Sequence, residues 1–258
     1  MPMPLVSVLI PAFNAELTIT EAVNSILTQS YDHLELIVVD DGSTDNTLSI
    51  LRSFQSPKIK IISKPNGGIV SALNLGIDHC QGHFIARMDA DDISLLHRIE
   101  KQVKFLQENR AIDVVSSSYT PFSDEEGQRH YEKRVIHPLN PSVIHWLLGY
   151  YCVVAHPAVM MRRSIIDNGQ RYNDVLAEDL DFWRRVSNGH NVSNIQESLL
   201  LYRRTSSSLS SQNSENIHTE TLNFVSSARK PSLRLLISEL IMIQGISKIG
   251  IFWRWVFD

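Results

Sequence analysis

The 258-residue sequence has few cysteines, no excess of basic charge and no long apolar run, and each absence excludes a class of protein. Its two cysteines, Cys80 and Cys152, are too few for a disulfide framework or a zinc site, and they favour a reducing compartment. The 24 basic and 28 acidic residues give a formal charge of -4, so no global basic excess favours nucleic acid as a partner. No uninterrupted stretch of about 18 apolar residues occurs, so we predict no membrane span.

The amino terminus lacks the basic segment that opens a secretory signal peptide. Residues 1–13 instead reach Pro11 after a short apolar run, which is typical of a first strand, and we expect a cytoplasmic protein. Hydrophobic residues make up 43% of the chain and charged residues 20%. Such a chain can bury a core and form one large α/β domain, alone or with a short appendage.

Strands and helices alternate in the first part of the sequence. Strands are predicted at residues 5–10, 34–39, 59–62 and 84–88, and the segments between them carry apolar residues at helical spacing. This β-α-β-α-β-α-β order predicts an α/β fold with an open, mostly parallel sheet and helices on both faces.

The second half of the sequence is less regular. We predict helices at residues 95–108, 138–150 and 178–186, and strands at residues 114–119, 153–161 and 198–202. His156-Pro157 interrupts the strand at 153–161, and the polar residues 123–134 predict a surface loop or excursion. Residues 233–256 predict one long apolar and basic helix, or a pair of helices.

Polar residues follow three of the early strands, at Pro11–Asn14, Asp40-Asp41 and Asp89–Asp92. In open α/β sheets, ligands bind beyond the carboxyl ends of the strands, so these segments are expected to meet at one crevice. Their five carboxylates would repel one another unless cations or hydrogen-bond donors compensate them. Topology and charge therefore predict a ligand site there.

Asp89 and Asp91 form an Asp-x-Asp pattern at a strand end, where both can offer oxygens to one Mg²⁺ or Mn²⁺ bound to substrate phosphates. A solvated acidic loop is the ordinary alternative. Residues 40–47 also suit a turn and a helix cap, and we expect both roles, with Asp41 contacting the ligand. Phe13 is placed where it could stack on a base.

Taken together, these segments resemble the family-2 inverting glycosyltransferases, which have the GT-A fold, a Rossmann-like sheet, and use nucleotide-sugar donors. The resemblance rests on Val6–Glu16, Glu35–Asp45, Asn66-Gly67-Gly68, Ala86–Asp92 and Ala177–Trp183. It extends, with a gap in the middle, from about Leu5 to Ser210. Each segment alone has little specificity, but the set is highly specific.

The resemblance implies a role for each matching position. Asp41 would contact the base, Asp89 the ribose or sugar, and Asp91 the Mn²⁺ or Mg²⁺ on the diphosphate. Asp179 would be the catalytic base, next to Glu178, and Trp183 would form part of the acceptor platform; ordinary charge in the first turn of a helix is the alternative for Glu178-Asp179. The implied nucleotide-sugar-binding residues are Pro11, Phe13, Glu16, Asp40, Asp41, Asn66, Gly68, Arg87 and Asp89.

Two positions depart from the family pattern. Leu73 stands where the family often has an arginine, and Thr205 stands where it often has a histidine that binds metal or diphosphate. Arg203 or Arg204 could neutralise the diphosphate instead. His156 could position the acceptor or the donor sugar, or it could be a satisfied histidine in a turn.

The predicted organisation is a GT-A domain at residues 1–210, with a nucleotide-binding half at about 1–92 and an acceptor-binding half at about 93–210. Residues 211–258 form a predicted C-terminal helical extension, which either packs on the domain or a dimer partner or lies on an anionic membrane surface. The implied partners are a UDP-sugar donor and a glycan or lipid-linked saccharide acceptor of cell-surface polysaccharide synthesis. The protein would then be cytoplasmic, or peripheral at the inner face of the cell membrane.

Two other functions fit part of the pattern. A nucleotidyltransferase also combines a parallel sheet, acidic metal ligands and a nucleotide, but it normally has a glycine-rich, basic phosphate loop near the first strand. Pro11–Glu16 is neither glycine-rich nor basic. A nucleotide-sugar-binding protein without turnover is the non-enzyme alternative, and the presence of Asp91 and Asp179 argues against it.

Overall fold

A single nine-stranded sheet organises the protein, whose computed structural model describes residues 3–125 and 127–204. The strands are β1 (Val6–Ala12), β2 (Leu34–Asp40), β3 (Ile59–Ser63), β4 (Phe84–Arg87), β5 (Ile93–Ser94), β6 (Val114–Glu125), β7 (Gln128–Tyr131), β8 (Met160–Arg162) and β9 (Val192–Arg203). The helices are α1 (Ile19–Leu27), α2 (Thr47–Ser53), α3 (Gly68–His79), α4 (Arg98–Glu108), α5 (Pro141–Leu147), α6 (Ser164–Asp167) and α7 (Glu178–Ser187).

The strand order is β3-β2-β1-β4-β8-β6-β9-β5, with β7 paired to β6. The β3-β2-β1-β4 block is parallel, and β6 runs parallel to β9 over the longest register in the sheet. The antiparallel pairs, such as β4 with β8, are short. The chain order reverses between β1 and β4, which makes the carboxyl end of β1 a topological switch point where ligands bind in open α/β sheets.

Helices cover both faces of the sheet because the buried strand residues alternate between two cores. In β1, Val8 and Ile10 belong to the core that includes α1 and α4, whereas Leu9 belongs to the core that includes α3 and α7. The second core is closely packed at Gly76, where an added Cβ would lie 2.2 Å from a methyl carbon of Leu9. The predicted open, mostly parallel sheet with helices on both faces is therefore confirmed.

Three predictions in the second half were wrong or incomplete. The excursion predicted as one alternative at residues 123–134 is a hairpin rather than a loop, because β6 extends to Glu125 and pairs with β7. The interruption predicted at His156-Pro157 is present as a 3-10 turn at His156–Ala158, but the part before it is not a strand, and only Met160–Arg162 pairs with β4. The strand predicted at 198–202 is longer and begins at Val192.

In the part of the chain that the structure describes, no helix combines the length and the hydropathy needed to cross a bilayer. The predicted C-terminal extension at 211–258 and its apolar segment at 233–256 lie outside the described residues.

Candidate active site

The loop that follows β4 carries three carboxylates in a small volume. One oxygen from each of Asp89, Asp91 and Asp92 lies within 4.8 Å of the others. Burial raises the pKa of Asp91 and of Asp92, and the charge of Asp89 raises both further. The cluster therefore favours the approach of a cation or a proton.

This acidic loop fits a divalent cation. Its donors are all carboxylate oxygens, which Mg²⁺ and Mn²⁺ prefer. Oδ2 of Asp92 is buried, and no residue of the described ranges hydrogen-bonds to it. A buried carboxylate oxygen without a partner is costly, so a ligand for it is expected.

Two arginines lie beneath the loop. Arg87 forms an ion pair with Asp89, with Nη2 2.5 Å from Oδ1, and it is almost fully buried. Arg98 is completely buried and donates from Nη2 to the carbonyl oxygens of Arg87 and Val159. Burial lowers the pKa of Arg98 to about 9, while the charge of Asp92 acts in the opposite direction. Arg98 is therefore a structural support that acts through the carbonyl groups of Arg87 and Val159.

The end of β2 is joined to the start of α3 by Asp41. Oδ1 of Asp41 accepts from Nζ of Lys64 at 2.5 Å and from the N–H of Gly67 at 3.0 Å, and Oδ2 accepts from the N–H of Gly68 at 2.8 Å. Asp40, also buried, accepts from the hydroxyl of Ser63. Asp41 thus fixes the start of α3 beside the end of β2 through direct bonds.

The turn that follows β2 requires glycine at position 42. Gly42 has φ +73°, and a Cβ there would lie 2.5 Å from the backbone nitrogen of Asn66. Asn66 itself is exposed. The close approach of two backbones explains why Gly42 follows Asp40-Asp41 in this sequence.

The loop after β1 contains the remaining residues assigned to the nucleotide. Pro11 is buried in β1 beside Val39 of β2, while the Phe13 side chain is 49% exposed at the mouth of the loop. Oε2 of Glu16 accepts from the backbone N–H and from Nδ2 of Asn46, the residue before α2. Glu16 therefore holds the start of α2, which the sequence interpretation did not predict.

A second acidic pair begins α7. Ala177, the residue before this helix, has a left-handed backbone with φ +82° and ψ +57°, which is unfavourable for a residue with a Cβ. Burial raises the pKa of Glu178, and the charge of Asp179 and, more weakly, of Asp89 acts in the same direction. The charge of Asp89 in the acidic loop therefore influences Glu178 at the start of α7.

Asp179 is half-buried in the first turn of α7. Its Oδ1 accepts from the N–H of Leu180 at 2.7 Å. The thiol of Cys152 lies close enough that the Asp179 carboxylate contributes, after burial, to raising the pKa of that thiol.

Trp183 does not form an acceptor platform, and that prediction was wrong. The side chain is fully buried, with its ring 4.9 Å from Phe182 and 5.6 Å from His156. Residues 182, 183 and 186 are the apolar residues on the core-facing side of α7, so the helical spacing of the sequence already indicated burial.

His156 lies beneath the site rather than at its surface. Burial lowers its pKa well below the usual value, and the charge of Arg87 adds to the effect, so the ring is neutral. Neither ring nitrogen has a hydrogen-bond partner among the described residues. The alternative of a satisfied histidine in a turn is therefore wrong, although the turn itself is present.

Arg203 and Arg204 are not arranged to neutralise a diphosphate. Arg203 is 7% exposed, and its guanidinium binds Glu21, Asp124 and the carbonyl of Asp91. Arg204 is exposed and pairs with Glu132 at 3.3 Å. The contact of Arg203 with the acidic loop joins residues more than 100 positions apart, and no local sequence pattern indicates it. Asp92, by contrast, was visible as the third acid of the Asp89–Asp92 run.

An open α/β sheet with an acidic cluster beyond β4 and an acidic pair at a nearby helix start is the arrangement of a GT-A glycosyltransferase. Residues 7–169 match the family described as Glycosyl transferase family 2. The chain belongs to glycosyltransferase family 2. The recognition made from the sequence is confirmed.

Named relatives agree with this family. A Bacillus subtilis (strain 168) protein named as glycosyltransferase EpsE is 38% identical over 213 residues, which is 79% of this chain and 74% of that protein. An uncharacterized glycosyltransferase of Haemophilus influenzae is 36% identical over 211 residues, which is 78% of this chain and 65% of that protein.

Solved structures show the fold. Residues 1–349 of S. aureus TarS in complex with UDP-GlcNAc align with a TM-score of 0.66 at 22% identity, over 88% of this chain and 68% of that one. The mannosyltransferase PcManGT of Pyrobaculum calidifontis, in complex with GDP-Man and Mn²⁺, aligns with a TM-score of 0.62 at 20% identity, over 90% of this chain and 67% of that one. The predicted GT-A fold is confirmed.

Proposed function

We propose that the protein transfers a hexosyl group, with inversion, from a UDP-sugar to a glycan or lipid-linked acceptor of cell-surface polysaccharide synthesis. One observation carries the proposal: the carboxylates of Asp89, Asp91 and Asp92 lie within 4.8 Å of one another, and a separate acidic pair, Glu178-Asp179, begins α7. A single displacement at an anomeric carbon needs both, one for the leaving group and one for the attacking hydroxyl.

On the donor side, Asp91 would hold the cation together with Asp89 and Asp92. A bound Mn²⁺ or Mg²⁺ would neutralise the charge that develops on the departing nucleoside diphosphate. The ion pair with Arg87 fixes Asp89 at the edge of this group, where it can also accept from a ribose or sugar hydroxyl.

On the acceptor side, Asp179 would accept the proton of the attacking hydroxyl. Oδ1 is held by the N–H of Leu180, which orients the carboxylate. Glu178, whose pKa is raised by burial and then by the charge of Asp179, would lie beside the base and contribute to its electrostatic surroundings. This assignment of the base follows from the family resemblance of the Glu178-Asp179 segment.

The base-binding role proposed for Asp41 is compatible with its bonds. An ionised carboxylate has about four lone-pair sites, and Asp41 uses three of them for Lys64, Gly67 and Gly68. One remains for a base N–H, and the exposed ring of Phe13 is available for stacking. Uracil is our choice from the family resemblance, and the GDP-Man complex of PcManGT makes guanine the competitor to test.

A thermal-shift panel tests the proposal without knowledge of the acceptor. UDP, GDP, dTDP and CMP would each be added with and without Mn²⁺. A nucleotide at 100 times its dissociation constant stabilises a protein by about 2.7 kcal/mol, which is readily measured. We expect stabilisation by UDP that requires Mn²⁺, and its loss in Asp91→Asn.

Other outcomes would change the account. Stabilisation by GDP alone would indicate a GDP-sugar donor instead of a UDP-sugar and would leave the proposed enzyme class unchanged. A response to UDP that is the same without metal would contradict the role of Asp91. No response to any nucleotide from folded protein would favour a member of the family that has lost donor binding.

A further inference from the structure

Arg203, at the end of β9, is bonded directly to the acidic loop. Its backbone N–H donates to Oδ1 of Asp92 at 2.9 Å, and its Nε–H donates to the carbonyl oxygen of Asp91 at 2.8 Å. Both the main chain of Asp91 and one carboxylate oxygen of Asp92 are therefore fixed by the same residue. The other oxygen of Asp92 is the buried one that no described residue binds.

The rest of the Arg203 guanidinium is held on the opposite side. Nη2 donates to Oε2 of Glu21 in α1 at 2.6 Å, and Nη1 forms an ion pair with Asp124 in β6. The guanidinium carbon lies 4.5 Å from the centre of the Phe122 ring. Because every guanidinium nitrogen has a partner, the side chain has one orientation and acts as a brace between the loop, α1 and the β6–β7 hairpin.

We propose that Arg203 is a positioning residue that sets the geometry of the acidic loop for its divalent cation. The inference rests on the proposed metal role of Asp91. Residues that orient metal ligands without touching the metal typically contribute 10-fold to 100-fold to metal affinity. Arg203 acts through the backbone of Asp91 and leaves Oδ2 of Asp92 free for a cation, so its own charge is not directed at the diphosphate.

Arg129 in β7 provides a matched control. It donates from Nη2 to both carboxylate oxygens of Glu21, pairs with Asp124, and lies 4.6 Å from the centre of the same Phe122 ring. Within the described ranges, none of its bonds reaches the Asp89–Asp92 loop. Arg129 and Arg203 thus share an ionic network, but only Arg203 connects it to the proposed metal ligands.

The test is Mn²⁺ binding to the full chain, measured as free Mn²⁺ by electron paramagnetic resonance, with a melting temperature for each variant. We expect Arg203→Gln and Arg203→Lys to weaken Mn²⁺ binding by about 10-fold or more, because neither side chain can donate to Asp91 and hold the network at once. Arg129→Gln should bind Mn²⁺ within about twofold of the wild type. If Arg203→Gln fails to fold, Arg203→Lys, which keeps the charge beside Glu21 and Asp124, gives the measurement.

Three results would overturn the inference. Wild-type Mn²⁺ affinity in Arg203→Lys would show that the loop does not need the brace. Equal losses in Arg129→Gln and Arg203→Lys would show that the network acts only on stability. Absence of Mn²⁺ binding in the wild type would contradict the proposed metal site as well. It is the only one of the three results that would contradict both the metal role of Asp91 and the positioning role of Arg203.

Discussion

Asp41 and Gly68 are joined by a 2.8 Å hydrogen bond from the Gly68 N–H to Oδ2 of Asp41, which connects the end of β2 to the first residue of α3. The bond brings two sequence motifs, separated by more than 20 residues, into one wall of the candidate nucleotide site. Each of the two segments joined by this bond contains a glycine with positive φ, namely Gly42 in the first and Gly68 in the second.

The two glycines should respond differently to alanine. At Gly68 a Cβ would have no described atom within 4 Å, so Gly68→Ala should cost only the left-handed backbone, about 1–2 kcal/mol. At Gly42 the backbone cost is the same, but an added Cβ would also lie 2.5 Å from the backbone nitrogen of Asn66 and clash with it. The total loss of stability for Gly42→Ala should therefore be about 2–5 kcal/mol. Urea unfolding of both variants measures the difference. Equal losses would mean that the backbones do not approach each other as described.

The strained residue before α7 gives a second prediction. Ala177→Gly removes the cost of a left-handed conformation, which stabilises the folded state by about 1–2 kcal/mol. It also makes the unfolded chain more flexible, which destabilises the folded state by about 0.4–1 kcal/mol. The free energy of unfolding should therefore stay level or rise by up to about 1.6 kcal/mol. Ala72→Gly in the interior of α3 is the control, and it should lose about 1–2 kcal/mol because it combines helix propensity with a buried methyl group. Similar losses at both positions would contradict the backbone described for Ala177.

The two thiols should be unreactive in the folded protein. Burial raises the pKa of Cys80 to about 12, and burial followed by the charge of Asp179 raises that of Cys152 well above its usual value. Since the thiolate is the reactive form, a raised pKa means little thiolate at pH 8. Ellman's reagent should therefore label neither cysteine until denaturant is added. Asp179→Asn should accelerate labelling of Cys152 but not of Cys80, and rapid labelling of the native wild type would show that these sites are open.

The strands in the first half of the chain were largely predictable because their sequence signals are local. The strands β1 and β2 contain the apolar runs Val8–Ile10 and Leu36–Val39, and such runs specify buried parallel strands. The hairpin was missed because β7 is an edge strand of polar, mostly exposed residues, which lacks the alternation that identifies a half-buried strand.

The site was predictable only where its residues are adjacent in sequence. Asp89, Asp91 and Asp92 come from one loop, so their proximity follows from the chain itself. The roles of Arg203 and Glu16 depend on pairings that tertiary packing creates, and residue type alone did not reveal them. Trp183 shows the converse, because the family resemblance implied an acceptor platform while its helical position placed it in the core.

The most direct test of the central claim compares Asp179→Asn with the wild type. The assay follows nucleoside diphosphate release from the UDP-sugar that gives the largest thermal shift, with a bacterial membrane lipid extract as the source of acceptor, and Glu178→Gln is run in parallel. We predict that Asp179→Asn keeps the Mn²⁺-dependent thermal shift with UDP and loses about 10²–10⁴ in rate, as expected for a missing general base. Release at the wild-type rate by Asp179→Asn would contradict the account.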